Sequence, residues 1–208
     1  MQKIVILGGG GHARVLIDLI KTSCQYEIVG ILDAQLDVDS EVSGVTVLGD
    51  DSVLLELYGK GIKHACIAIG SVKDNSKRKA MYEKVKHAGF SIPTLIHPSA
   101  IISDKSQILE GVQVMAGAIV QTNALIGENT IVNTGAIVEH DCIISSHVHI
   151  CSGAVMSGGC IIGEGTFIGA GATVIHGIKI GKGALIGAGS VVITNVPDGA
   201  AVKGVPAK

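Results

Sequence analysis

A six-residue repeat runs through the second half of the chain and constrains its fold more than any other feature. Every sixth position from 102 to 192 is aliphatic, and no insertion breaks the count. Four residues after each of these positions stands a small or β-branched residue. Six residues suffice for a short strand and a turn, but not for a helix–strand unit. The aliphatic positions are Ile102, Ile108, Val114, Val120, Ile126, Val132, Val138, Ile144, Ile150, Met156, Ile162, Ile168, Val174, Ile180, Ile186 and Val192.

Three consecutive repeats predict one triangular coil of eighteen residues. Coils of this kind stack at the strand spacing of about 4.8 Å, so the aliphatic column faces inward and the small column fills the corners. The sixteen repeats then form about five coils. Glycines between the two columns supply the positive φ angles that tight corners need. Cys142 and Cys160 stand one coil apart in the small column, so we expect two stacked, buried thiols.

The first 95 residues alternate between strand-like and helix-like segments. Segments 3–7, 27–32 and 64–70 predict strands, and a further extended stretch begins at Thr94. Segments 14–22, 54–61 and 71–89 predict helices, the last with its Lys and Arg side chains on the outer face. This alternation is typical of a small parallel α/β domain. We therefore expect a Rossmann-like domain over residues 1–95 and a β-helix domain with a C-terminal tail over 96–208.

A glycine-rich turn joins the first predicted strand to the first predicted helix. Gly8, Gly10 and Ala13 fit the pattern G-x-G-x-x-A, and Asp33 ends the second strand, where a ribose-binding acid is expected. Glycines let the backbone approach a phosphate, and a helix N-terminus offers it free N–H groups. The domain is half the size of a dinucleotide fold, so a nucleotide diphosphate fits as well as a dinucleotide. A turn without a ligand remains open, and His12 is either a ligand contact or a polar turn residue.

Composition excludes several function classes. A net charge of −2 without a basic block argues against nucleic acid as the main partner. No apolar run approaches the roughly 18 residues of a membrane span, and the N-terminus has no cleavage-site pattern, so we expect a cytoplasmic protein. The five cysteines include no C-x-x-C pair, which favours free, buried thiols in a reducing compartment.

The repeat resembles that of the hexapeptide-repeat family. Members form a left-handed parallel β-helix, are typically trimers with sites between subunits, and are mostly acyltransferases that use a CoA thioester. Residues 204–208 resemble the family's G-x-P-A-K ending. With the α/β domain in front, the chain resembles the sialic acid O-acetyltransferases and nucleotide-4-amino-sugar N-acetyltransferases, including the enzymes of bacillosamine and perosamine synthesis. The segments that carry this resemblance are 8–13, 33, 68–70, 95–98, 133–134, 139–141 and 204–208.

The resemblance implies a set of site residues and no metal. Residues 139–141 match the motif that holds the general base, so this role falls on His140, with Asp141 beside it. The positions that match contacts to the nucleotide sugar are Gly10, Gly11, His12, Asp33, Ala34, Gly70 and Asn133. The positions that match contacts to acetyl-CoA are His149, Gly158, Ala170 and Ala188.

An imidazole suits proton removal near neutral pH, because its ordinary pKa is about 6.5 and an adjacent carboxylate favours its protonated form. Backbone N–H groups at glycine-rich corners are suited to stabilising an oxyanion on the thioester carbon. A solvated surface position remains open for His140 and His149 and is the favoured interpretation of His147. His176 lies two coils beyond His140, about 10 Å away, and is interpreted as a surface residue.

These inferences predict a homotrimer that transfers an acetyl group from acetyl-CoA directly to the 4-amino group of a nucleotide-linked amino sugar. O-acetylation of a sialic acid or a related sugar is the main alternative, because the motif at 139–141 serves either reaction. His140, His147 and His149 leave a γ-type carbonic anhydrase with zinc as a lesser alternative. A non-catalytic scaffold that binds nucleotide sugars is another.

Overall fold

The computed structural model describes residues 1–71 and 73–208. Two compact units are present. The first consists of Met1–Gly70 with Lys77–Leu95, and the second consists of Ser71–Ser76 with Ile96–Lys208. No helix in the described part of the chain is both long and apolar enough to cross a bilayer.

A five-stranded sheet with the order β3-β4-β2-β1-β5 forms the centre of the first unit. All its strand pairs are parallel except β3 with β4. The strands are β1 (Gln2–Leu7), β2 (Tyr26–Leu32), β3 (Glu41–Val42), β4 (Val45–Gly49) and β5 (His64–Ile67). The helices are α1 (Gly11–Ser23), α2 (Leu54–Gly59) and α3 (Ser76–His87), and a 3-10 helix spans Asp51–Val53. The α/β character is as predicted, whereas the short β3–β4 hairpin was not anticipated.

Helix α3 differs from its sequence prediction in two ways. It begins at Ser76 rather than at 71, because Asp74 accepts hydrogen bonds from the Ser76 backbone N–H (2.8 Å) and hydroxyl (2.6 Å). Arg78 does not lie on the outer face but is buried, and its Nη1 donates to the carbonyls of Ile67 (2.6 Å) and Ile69 (3.2 Å). Burial lowers the pKa of Arg78 to about 10.

Two-residue strands form a left-handed parallel β-helix in the second unit, as the repeat and the resemblance predicted. Each face is named here by its first strand. The β6 face contains β6 (Leu95–Ile96), β9 (Gln113–Val114), β12 (Ile131–Val132), β15 (His149–Ile150), β18 (Phe167–Ile168), β21 (Leu185–Ile186) and β23 (Ala201–Val202). The β7 face contains β7 (Ile101–Ile102), β10 (Ile119–Val120), β13 (Ile137–Val138), β16 (Val155–Met156), β19 (Thr173–Val174) and β22 (Val191–Val192). The β8 face contains β8 (Gln107–Ile108), β11 (Leu125–Ile126), β14 (Ile143–Ile144), β17 (Ile161–Ile162) and β20 (Lys179–Ile180).

The predicted aliphatic column forms the core of this β-helix. From Val114 to Val192 its members are buried. The first residues of the two-residue strands are half-buried or exposed in most cases, but Gln113, Ile131 and His149 on the β6 face are buried. Strand partners are offset by eighteen residues, as in the pair Val120↔Val138. Cys142 and Cys160 are buried free thiols, and their Sγ atoms donate to backbone carbonyls. Cys24 does not follow the expectation of buried thiols: it is exposed, because it ends α1 in a left-handed conformation.

Candidate active site

The glycine-rich turn of the first unit lies where three neighbouring strands end. β1 pairs with both β2 and β5, so the turns that follow these strands lie at one edge of the sheet. Gly8 donates to the Leu32 carbonyl (2.8 Å), and a Cβ built on Gly70 would lie 3.3 Å from the His12 Cβ. A Cβ built on Gly10 or Gly11 would meet no atom within 4 Å, so the backbone there faces open space.

Asp33 is held by the same turn. One of its carboxylate oxygens accepts from the Gly9 N–H (2.7 Å) and the other from the Gln35 N–H (2.8 Å). Ala34 follows as an exposed residue. The six residues assigned to the nucleotide sugar in this unit, Gly10, Gly11, His12, Asp33, Ala34 and Gly70, therefore follow three adjacent strands at one sheet edge.

His140 and Asp141 form a hydrogen-bonded pair at the corner between the β7 and β8 faces. Nδ1 of His140 lies 2.8 Å from Oδ2 of Asp141, and both side chains are about half exposed. Because a carboxylate only accepts, Nδ1 carries the proton and Nε2 is left as the basic nitrogen. Asn123 donates to the other oxygen of Asp141 (3.1 Å). The hydrogen bond from His140, then that from Asn123, holds the pKa of Asp141 below its ordinary value.

A pocket of about 510 Å³ lies against the β6 face and its corner with the β7 face. His149, Phe167 and Leu185 form its wall, and they follow one another at intervals of eighteen residues. The remaining lining residues are Ser71, Lys73, Asn133, Cys151, Ser152, Gly169, Ala170, Ile186, Gly187 and Ala188. His149, Ala170 and Ala188, three of the four positions assigned to acetyl-CoA, therefore line one pocket.

Gly158 and Asn133 lie apart from the residues with which the resemblance grouped them. Gly158 is not among the lining residues of the pocket; it lies under His140, whose Nε2 would be 2.5 Å from a Cβ built on this glycine. Asn133, assigned to the nucleotide sugar, does line the pocket, and its Nδ2 lies 3.3 Å from Nε2 of His149.

The sequence analysis named only four of the lining residues, and three of those it missed show why. Phe167 lies eighteen residues beyond His149, and their rings form an edge-to-face contact at 5.3 Å, so the coil period could have identified it. Ser71 and Lys73 come from the segment Ser71–Ser76, for which the repeat offered no signal. Asn75 anchors this segment, because its Nδ2 donates to three carbonyls of the β-helix: those of His147, Gly165 and Thr166.

Cys151 is the cysteine of this pocket. Burial raises the pKa of its thiol to about 11. A thiol is nucleophilic only as the thiolate, so Cys151 is poorly suited to accepting an acyl group near neutral pH.

Two histidines differ from their predicted surroundings. His147 is buried rather than solvated, with its Nδ1 2.9 Å from Nδ2 of Asn129. His176 is exposed, but its ring centroid lies 6.2 Å from that of His140, closer than the spacing of two coils. The rings approach because Gly158, midway between them in sequence, has no side chain. Among the described residues, no three His, Cys, Asp or Glu side chains converge as a metal site would require.

The sequence matches two known families. Residues 3–85 match the PglD N-terminal domain, and residues 159–194 match the bacterial transferase hexapeptide family (six repeats). The chain is 38% identical over 116 residues to a UDP-N-acetylbacillosamine N-acetyltransferase of Bacillus subtilis (strain 168). That match covers 56% of this chain and 52% of the relative, so it spans about half of the relative's length.

Two solved structures match over the whole chain. One is a perosamine N-acetyltransferase from Caulobacter crescentus in complex with CoA and GDP-perosamine, a mutant in which one histidine is replaced by asparagine. It is 39% identical, with a TM-score of 0.94, and the match covers 100% of this chain and 96% of that one. The other is the acetyltransferase domain of PglB from Neisseria gonorrhoeae FA1090 in complex with acetyl coenzyme A. It is 37% identical, with a TM-score of 0.92, and the match covers 100% of this chain and 98% of that one. The chain belongs to the family of hexapeptide-repeat acetyltransferases that includes these sugar N-acetyltransferases.

Proposed function

We propose that this protein transfers the acetyl group of acetyl-CoA to the 4-amino group of a nucleotide-linked amino sugar. The observation that carries the proposal is the His140–Asp141 pair, which leaves Nε2 of an exposed imidazole as a base. Support comes from the similar Caulobacter crescentus structure, which holds CoA and GDP-perosamine, and from its mutant histidine.

The first unit is proposed to bind the nucleotide. The turn at Gly10 and Gly11 faces open space, and the N-terminus of the thirteen-residue helix α1 follows it directly. Free backbone N–H groups at such a position attract phosphate. Asp33 presents a carboxylate at the same sheet edge, although its oxygens already accept two backbone N–H groups.

A pair of glycine variants tests this assignment. Gly10→Leu is expected to fold, because its Cβ would point into open space, and to weaken nucleotide-sugar binding while leaving acetyl-CoA binding nearly intact. Gly59→Leu, whose Cβ also meets no atom, is the matched control. Calorimetric titration of both ligands separates the effects. Equal loss of both ligands in Gly10→Leu, or tight NAD binding by the wild type, would contradict the assignment.

The second unit is proposed to bind acetyl-CoA in the pocket lined by His149, Ala170 and Ala188. This pocket combines an apolar wall, Phe167 and Leu185, with few polar groups, as small-molecule sites usually do. Nε2 of His140 accepts the proton that the acceptor amine loses, and Asp141 holds the imidazole in the required tautomer. Direct transfer follows, because the one cysteine of the pocket, Cys151, is protonated at neutral pH.

A homotrimer is proposed because the pocket and His140 lie apart within one chain. The pocket lies on the β6 face and its corner with the β7 face, whereas His140 lies at the opposite edge of the β7 face. The outward residues of the β7 and β8 faces are largely aliphatic and include the exposed Ile101 (64%) and Ile143 (44%). A neighbouring subunit that covers these faces brings its pocket to His140.

Mixed trimers test the shared site. Subunits with His140→Ala and subunits with Ala170→Trp, which fills the pocket, are each expected to be inactive. After unfolding and refolding together in equal amounts, about one quarter of the sites combine an intact pocket with an intact His140. Recovery of activity supports the proposal, whereas an inactive mixture of stable trimers places both parts of the site within one subunit.

A substrate panel tests the acceptor. CoA release is measured with UDP-, GDP- and dTDP-linked 4-amino sugars, and with sialic acid and CMP-sialic acid. Turnover of a 4-amino sugar is expected. Turnover confined to the sialic acids would replace the proposal with O-acetylation. The cytoplasmic location stays a prediction, which cell fractionation tests.

A further inference from the structure

One position at the corner between the β7 and β8 faces recurs on successive coils as Asn123, Asp141, Gly159 and Gly177. All four residues have a positive φ, of +59°, +59°, +69° and +73°. Glycine adopts this left-handed conformation without strain, and asparagine and aspartate are the residues with side chains that tolerate it best. The backbone therefore requires no side chain at positions 123 and 141, and the role of the two side chains depends on what they contact.

The amide of Asn123 makes one hydrogen bond within the described part of the chain, to the Asp141 carboxylate. Its Nδ2 donates to Oδ1 of Asp141 (3.1 Å), while Oδ2 of the same carboxylate lies 2.8 Å from Nδ1 of His140. An ionised carboxylate only accepts, so the NH₂ end of the amide is the end that faces it. The three side chains thus form a row in which Asp141 offers one oxygen to each neighbour.

The pair of His140 and Asp141 is too exposed to fix its own orientation. The two side chains are 48% and 57% exposed. An exposed ion pair gains little in water and loses side-chain entropy when it keeps one geometry, and the terminal torsion of an aspartate is broad. A hydrogen bond to the second oxygen restricts the plane of the carboxylate, and with it the direction of the His140 ring. Such support matters because catalytic groups act within about 10–20° of their productive orientation.

We propose that Asn123 is a positioning residue that acts through Asp141 on the His140 imidazole. The amide holds the carboxylate so that Oδ2 faces Nδ1 of His140, which keeps the ring and its free Nε2 in one orientation. In this role Asn123 takes up no proton and contacts no substrate. The inference rests on the proposed function, in which His140 is the base, and adds the residue that orients it.

Asn123→Gly tests the proposal, because glycine removes the amide and suits the left-handed backbone that Gly159 and Gly177 already adopt at this corner. We expect kcat to fall about three- to tenfold, less than the full value of a hydrogen bond to a charged group, because Asp141 itself remains. The KM values for both substrates should stay within about twofold, because neither binding site loses a contact. Ser43→Gly, at an exposed residue with a φ of +51°, is the matched control and should keep wild-type kcat.

A double-mutant cycle distinguishes an action through Asp141 from any other effect of the substitution. Asp141→Gly leaves no carboxylate for Asn123 to hold, so the addition of Asn123→Gly to this variant should lower kcat by less than about twofold. An equal loss in both backgrounds would overturn the proposal, because Asn123 would then act without Asp141. Wild-type kcat in the single variant Asn123→Gly would overturn it as well.

The tautomer of His140 provides a measurement that needs no substrate. In protein with ¹⁵N-labelled histidine, the nitrogen shifts distinguish the protonated from the unprotonated ring nitrogen at about pH 8, where an ordinary imidazole is neutral. Asn123→Gly should lower the share of the Nδ1–H tautomer, and Ser43→Gly should not. An unchanged share in Asn123→Gly would contradict the proposal. Absence of turnover with every nucleotide-linked 4-amino sugar would instead contradict the proposed function, and the tautomer measurement would still decide the role of Asn123.

Discussion

At the scale of single residues, one hydrogen bond assigns the roles of the two nitrogens of His140. The Asp141 carboxylate accepts from Nδ1, so Nε2 is the nitrogen left free to accept a proton in the proposed reaction. The same bond lowers the pKa of Asp141, which keeps its carboxylate charged across the neutral range and down to acidic pH. Asp141 therefore stays ionised beside His140 and fixes the orientation of its ring.

The losses of activity in His140→Ala and Asp141→Asn should differ in size. Loss of the base is expected to lower kcat by roughly 10²–10⁴-fold, and loss of the carboxylate by less, because the imidazole remains. Steady-state kinetics from pH 5 to 9 measures both effects. If trimeric His140→Ala kept wild-type turnover, the rate would have to come from the proximity of amine and thioester.

Cys151→Ala should retain most of the activity. The thiol lines the pocket, but its raised pKa of about 11 leaves it protonated at neutral pH. We expect kcat within about threefold of wild type and no burst of CoA release before the acceptor is added, since a covalent acyl-enzyme is not formed. Rapid-mixing measurement of free thiol checks this. A burst that disappears in Cys151→Ala would establish a covalent intermediate instead of direct transfer.

At the scale of elements, the coils of the β-helix stack so closely that some corners admit only glycine. A Cβ on Gly163 would lie 2.5 Å from backbone atoms of Gly181 and Lys182 in the next coil. At Gly158 the same substitution meets only the end of a histidine side chain, which is free to turn. The two glycines thus have equal crowding but different neighbours.

Gly163→Ala should therefore destabilise the fold, and Gly158→Ala should not. Forcing coils apart costs about 1–3 kcal/mol, as overpacking of well-packed cores does. In a chain of this size, each kcal/mol lowers Tm by about 2–4 °C. Thermal unfolding of the two variants side by side measures the contrast. Equal Tm values would indicate that the corner relaxes more easily than its backbone contacts suggest.

At the scale of the whole molecule, activity is expected to depend on assembly. Ile143→Glu places a charge on the exposed apolar β8 face and should dissociate the proposed trimer and abolish turnover. Leu55→Glu, at a residue that is 70% exposed in helix α2, is the matched control and should leave both the oligomeric state and the turnover unchanged. Sedimentation and CoA-release assays on the same samples test the prediction. An active, stable monomer would refute the shared site.

The hexapeptide repeat alone was sufficient to predict the β-helix, because its information is local and periodic. Each sixth residue faces the same core, so one register explains sixteen positions without knowledge of distant contacts. The same period places His149, Phe167 and Leu185 on one face and Gly158 under His140. The glycine-rich turn and Asp33 were likewise identified by their positions after strands.

Tertiary structure alone decided the features that depend on contacts between distant segments. Arg78 is buried because its guanidinium donates hydrogen bonds to carbonyls at the end of β5, and no helical pattern in the sequence reveals this contact. Segment Ser71–Ser76 belongs to the second unit because the side chain of Asn75 donates hydrogen bonds to three carbonyls of the β-helix. His140 and His176 approach because side chains, unlike the backbone, lean along the coil axis into the space that Gly158 leaves. A repeat determines where the backbone lies, but side-chain contacts depend on which groups the folded chain brings within hydrogen-bonding reach.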